Sequence, residues 1–223
     1  MDLEDLGLKG DVGGQMCDWV AAQGLAEAEL SDLQRGEASR LLARRGTKVF
    51  IDHGLDDRLR QFINRSATFA LPNKKAAYEL THIVLYLSEY GRRDPKLDCV
   101  GVQSLNFVGV IAYLDQNTDL LAEICIALRF AGLTPSPIWE DWIVKTLSDF
   151  QVIEQPESTT SDAYHEYLVS AWIVLTAKCD GMRQAVLGGG GWSLCAVTLP
   201  QGYFAISQIH CSRWMPNAAP IGR

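Results

Sequence analysis

The chain is short of the features that mark several large functional classes. No apolar run goes uninterrupted: the longest stretches all meet a charge or a glycine within about 18 residues, too soon for a bilayer-crossing helix. Basic clusters are equally scarce. Only Arg44-Arg45, Lys74-Lys75 and Arg92-Arg93 adjoin, each at the edge of an apolar segment. With 20 Lys and Arg against 27 Asp and Glu, the formal charge is −7. A nucleic-acid binder concentrates positive charge, so the sequence predicts neither a nucleic-acid partner nor a membrane. The acidic opening Met1-Asp2-Leu3-Glu4-Asp5 has no signal-peptide character. The six cysteines (17, 99, 125, 179, 195 and 211) contain no Cys-x-x-Cys pair. Four lie in apolar periodic stretches, where a free thiol behaves as a small buried hydrophobe. Reduced thiols in the cytoplasm are the expectation. The glycine run 188–191 lacks the Lys-Ser/Thr ending of a phosphate loop. Asp115-x-Asn117-x-Asp119 opens like a calcium loop, but Leu120 takes the glycine position and Ile126 that of the bidentate Glu; it reads as a capped helix–helix turn.

What is present is helical periodicity. At 223 residues, 48% apolar and 21% charged, the chain can bury a core without disulfide or metal support. It reads as one all-α domain over 1–215 with a flexible tail over 216–223. An amphipathic helix covers Gln15 to Gly24, and Ser31 caps a second that ends at Gly46. Asp56-Asp57 opens a short helix through Leu59, Phe62 and Ile63. Pro72-Asn73 starts a stronger one with Ala77, Leu80, Ile83, Val84 and Leu87 on one face. Leu97 to Leu114 is almost wholly apolar and reads as a buried helix. Asn117 or Thr118 caps the next, which runs to Gly132. Ser136-Pro137 is an N-cap and N1 pair for a helix through Trp139, Trp142, Ile143 and Leu147. A polar linker over 154–161 leads to Asp162, the cap of a long helix from Ala163 to Cys179. Further on, 196–199 and 203–207 flank Pro200-Gln-Gly202 as a short C-terminal hairpin or a last helix would.

Three polar residues stand in otherwise apolar helical stretches: His82, Glu123 and His165, spaced 41 and 42 residues apart. That is about one helix–turn–helix unit. Tyr78–Gly91 aligns with Asp119–Gly132: Leu80 falls opposite Leu121, Ile83 opposite Ile124 and Leu87 opposite Leu128, and each segment ends in glycine nine residues after its polar position. Aligned by Gly181, the third segment places Trp172, not His165, at the equivalent site. Antiparallel helix pairs of this length fit an α/α toroid or a helical bundle.

The spacing allows two chemistries. His82, His165 and Glu123 supply three ligands for a divalent metal, zinc or iron, and leave one position open; Glu79, Cys125 and Cys99 are substitutes. Glu79-Leu-Thr-His82 is an E-x-x-H pattern and Asp162-Ala-Tyr-His165 its Asp analogue, the ligand logic of di-iron carboxylate bundles. Without metal, Glu123 beside His82 or His165 makes an acid/base pair for elimination or cyclisation. The bland alternative is a set of hydrogen-bonded core residues, but a Glu amid Leu120-Leu-Ala and Ile-Cys-Ile-Ala-Leu128 is costly to bury unpaired. Substrate contacts fall to Tyr86, Tyr164, Trp172 and Glu79, with Tyr78 and Tyr167 within one or two turns.

The stretch Glu79-Leu-Thr-His82, with Tyr86, Glu89-Tyr-Gly91 and the later Tyr164-His165, resembles a pattern in all-helical bacterial proteins associated with natural-product biosynthesis. The resemblance implies a small helical enzyme, or an enzyme subunit, acting on a small biosynthetic intermediate. The competing expectations are a helical-repeat interaction module and a non-catalytic subunit of a hetero-oligomeric enzyme. A homo- or hetero-oligomer is compatible with each.

Overall fold

The computed structural model describes residues 9–47, 50–150 and 163–187, with side chains of the last helix described to 177. The expected linker over 154–161, the Asp162 cap, the C-terminal hairpin and the tail at 216–223 lie outside the described residues. Those described are all-α, as the periodicity predicts. The helices are α1 (Val12–Ala22), α2 (Leu25–Ala28), α3 (Asp32–Arg44), α4 (Leu55–Ile63), α5 (Ser66–Phe69), α6 (Lys74–Leu87), α7 (Cys99–Leu114), α8 (Thr118–Phe130), α9 (Pro137–Asp149) and α10 (Tyr164–Leu187). The short helices α2 and α5 have no counterpart in the periodicity, because four residues are too few to show a 3.6-residue repeat.

Side-chain caps set several helix starts. Ser31 accepts from Gln34 N, Asn73 from Ala76 N and Asn117 from Leu120 N, satisfying amides that have no intrahelical partner. Asp98 caps α7 in the same way, through Gly101 N. Pro137 stands at N1 of α9, yet the Ser136 side chain makes no capping bond. At the other end of α8, Gly132 takes φ +75°, and Leu133 N and Gly132 N return to the carbonyls of Leu128 and Arg129. The aligned helix α6 stops differently. Glu89 (φ 48°) already turns left-handed, with Tyr90 N on Leu85 O, and Tyr90 and Gly91 continue the turn. The two aligned glycines therefore occupy different places relative to their helix ends.

The core gathers around α8, which packs against α6, α7, α9 and α10. Every residue from Leu120 to Leu128 is buried. Contacts from Tyr78 to Asp119 and from Thr81 to Glu123 advance together along both helices, so α6 and α8 run in the same direction. His165 meets Asp119 and Trp172 meets Phe130, which gives α10 that direction too. The α9 helix runs opposite, with Glu140 on Arg129 and Trp142 on Thr118. The repeat offset of about 40 residues thus corresponds to successive co-directional helices. The α7 helix is only half buried: Ser104, Leu105, Val108 and Ala112 face inward while Val110 and Leu114 are exposed. Its apolar composition overstates its burial. It approaches α9 so closely at Gly109 that a Cβ there would lie 2.4 Å from the Trp139 ring.

A second, smaller cluster of Cys17, Ala26 and Leu42 holds α1, α2 and α3 together. An ion network ties α3 to the start of α4. Arg58 reaches Asp32 at 2.8 Å and Asp52 at 2.7 Å, and Arg35 reaches Asp52 at 2.9 Å. The Arg58 guanidinium holds the Asp52 carboxyl well below the usual carboxylate range.

Candidate functional site

Four residues converge beside the first two turns of α8. Asp119 and Glu123 stand one turn apart on one face of that helix, the i, i+4 relation that lets two side chains share a neighbour. The α6 helix supplies Tyr78, Thr81 and His82; α10 supplies His165. The Glu123 carboxylate is buried. Its Oε2 accepts from the Thr81 hydroxyl at 2.5 Å and lies 3.8 Å from His82 Nε2, a charge contact rather than a hydrogen bond. Asp119 Oδ2 accepts from the Tyr78 hydroxyl at 2.6 Å, and Oδ1 lies 2.6 Å from His165 Nδ1. Donor atoms of Asp119, Glu123 and His165 all fall within 4.8 Å of one another. Trp142 Nε1 donates to Thr118 Oγ1 at 3.3 Å and so braces the helix start that carries Asp119.

These contacts divide the two histidines. His82 is raised above its ordinary value, chiefly by the facing Glu123 carboxylate; partial burial opposes the rise, and Glu37 and Asp119 add to it. His165 is more exposed, with 56% of its side chain accessible. It is oriented through Nδ1, and its Nε2 makes no hydrogen bond to the described residues. Burial first, and then the bond to Asp119, pushes the Tyr78 phenol above its ordinary value, so it stays a proton donor. Cys125, two residues past Glu123 and so on the opposite side of α8, is buried and pushed up to about 12 by that burial. Its thiol is not among the donor atoms gathered by Asp119, Glu123 and His165, so Cys125 does not take the substitute role. Cys99 is exposed at the first residue of α7.

Of the trio read from spacing, Glu123 meets both histidines, His82 at 3.8 Å and His165 within 4.8 Å, but the donor set close enough for one metal ion is Asp119, Glu123 and His165, with Asp119 in the place expected of His82. Asp119 is the residue that sequence reasoning missed. Its place beside a capping Asn117 accounts for it as a turn residue. The signal that points to it is its own alignment opposite Tyr78, together with the one-turn step to Glu123. Glu79 does not join the group. Its carboxylate lies 3.7 Å from Lys75, one turn back, and it lines a different cleft with Asp32, Arg58 and Arg65. The E-x-x-H pair thus does not bind as a unit. Tyr86 stacks at a tilt on His82, ring centroids 6.0 Å apart, and Tyr164 sets its edge on His165 at 6.4 Å with its own side chain exposed. Trp172 stands away from the carboxylates, between Tyr90 and Phe130.

Among the described residues no helix is long and apolar enough to cross a membrane. The fold and site define an all-α protein with a carboxylate–histidine centre on its most buried helix. The chain belongs to the family described as a domain of unknown function (DUF6902), which matches residues 1–193. No curated protein and no solved structure matches the chain.

Proposed function

We propose that the chain is a small helical enzyme that carries out acid/base elimination or cyclisation on a small organic intermediate at the His82–Asp119–Glu123–His165 centre. The observation that carries this reading is the pairing of each histidine with its own carboxylate on one face of α8. Asp119 fixes the His165 ring through Nδ1 and leaves Nε2 as the base. Glu123 favours the protonated form of His82, which makes it the acid. In an elimination, His165 Nε2 takes a proton from carbon, the released electron pair forms the new double bond, and the leaving oxygen departs with the His82 proton. The likeness to natural-product biosynthesis proteins supports a biosynthetic intermediate as substrate.

The test is an incubation of wild-type protein with fractionated small-molecule extracts, followed by mass spectrometry against His165→Ala and Glu123→Gln. Conversion of a compound by the wild type, reduced about 100-fold or more in both variants, is the expected result. Equal conversion by Glu123→Gln overturns the reading. A metal-assisted version of the same site is favoured by the Asp119, Glu123 and His165 donor triangle, a donor set that suits zinc or iron. Elemental analysis after purification in zinc or iron, with Asp119→Asn and His165→Ala as controls, decides it. A second reading, an interaction module or non-catalytic subunit, draws on α1, where Val12, Met16 and Trp19 fall at i, i+4 and i+7 and are exposed. It predicts a stable assembly that Trp19→Asp takes apart in light scattering.

A further inference from the structure

Tyr86, whose ring contacts His82, also lines a cleft of about 340 Å³ between α3, α4 and the left-handed turn after α6, within the range of small-molecule sites. In a chain of formal charge −7, four arginines line it: Arg40, Arg44, Arg92 and Arg93. Two carboxylates, Asp56 and Glu89, share the lining, and both are engaged by Arg93, at 3.2 Å and 3.6 Å. Arg93 is thereby a brace, with its Nε also on Leu87 O. Arg92 is exposed and makes no ion pair among the described residues. Arg40 lies over the rings of Tyr90 and Tyr86, at 4.3 Å and 5.4 Å from their centroids. Its Nε is buried and has no hydrogen-bond partner, a costly state for a guanidinium donor. One Arg40 Nη2 bond, to the Tyr90 hydroxyl at 3.4 Å, holds the group in place. A stacked, pre-oriented guanidinium engaged by no carboxylate bond, beside an uncompensated arginine, is the arrangement that takes a multiply charged oxyanion.

We propose that this cleft binds a small polyanion, a molecule carrying a phosphoryl group or clustered carboxylates, through Arg40 and Arg92. The binding claim stands on the cleft alone. Its extension, that the anion anchors the substrate whose reactive end reaches His82 one helical turn away, rests on the acid/base reading above. Calorimetric titration of the full chain with inorganic pyrophosphate and, separately, malonate tests it at constant ionic strength. Saturable binding to one site is expected, weakened about tenfold by Arg92→Gln and by Arg40→Gln and unchanged by Arg65→Gln, which lies on the other cleft. The tighter of the two probes identifies the phosphoryl or the carboxylate class. Absence of saturable binding by both probes, or equal weakening by Arg65→Gln, overturns the proposal. Saturable probe binding together with conversion of extract compounds that Glu123→Gln leaves unchanged refutes the acid/base reading and leaves the anion site standing.

Discussion

The α7 and α8 helices are neighbours joined by a short turn, and their compositions mislead about their environments. Between Cys99 and Leu114, α7 carries no charged residue, yet it leaves Val110 and Leu114 in solvent. The α8 helix carries Asp119, Glu123 and Arg129, yet it is buried on all sides from Leu120 to Leu128. Position in the array decides burial: α8 has neighbours all round, whereas α7 presents one face to the core. The buried charges of α8 are each answered. Arg129 meets Glu140 of α9, and Glu123 meets Thr81 and His82. A carboxylate kept in the most buried helix, beside two histidines, is costly as scaffolding; the acid/base centre proposed above gives it a purpose.

Substitutions that separate the two helices break or sharpen this comparison. The largest expected effect is Ile124→Ala in α8, which leaves a cavity at a fully buried position and costs about 2–5 kcal/mol in chemical denaturation. Gly109→Ala, at the tighter of the two close approaches made by glycines of α7, forces the Trp139 ring to move and costs about 1–3 kcal/mol. A neutral result there would mean that the α7–α9 approach is looser than the 2.4 Å separation of a Gly109 Cβ from the Trp139 ring implies. Glu123→Gln acts through pH. Because the folded-state pKa of His82 is raised, its pairing stabilises the protein fully below the unfolded value and loses that contribution as pH rises through the folded value. The wild type therefore loses stability, relative to Glu123→Gln, as thermal melts are taken upward from pH 6.5. Parallel melting curves for the two proteins across that range would dissociate His82 from Glu123. The smallest effect belongs to Val110→Ala on the exposed side of α7, within about 0.5 kcal/mol.

Much of this was legible in the residues. Ser31, Asn73 and Asn117 announced their helices because a cap is a local bond between near neighbours. His82, Glu123 and His165 stood out as interruptions of apolar runs. The exposed side of α7 was hidden because composition does not report how many neighbours a helix has. Asp119 was hidden because a turn explains it locally, and only the tertiary partners Tyr78 and His165 give it another purpose. Glu79 was chosen for its helix face, but the face does not determine where a flexible carboxylate ends, and Lys75 drew it back.

The shared direction of α8 and α10 has an electrical consequence. Asp119 and His165 both belong to the first turns of their helices, and those two helices lie side by side and point the same way. The positive ends of two aligned peptide-dipole arrays therefore open onto the same spot, each equivalent to roughly half an elementary charge at its terminus. In the elimination proposed above, an enolate oxygen left by proton removal at that spot meets a field already oriented to receive it and requires no rearrangement of the protein.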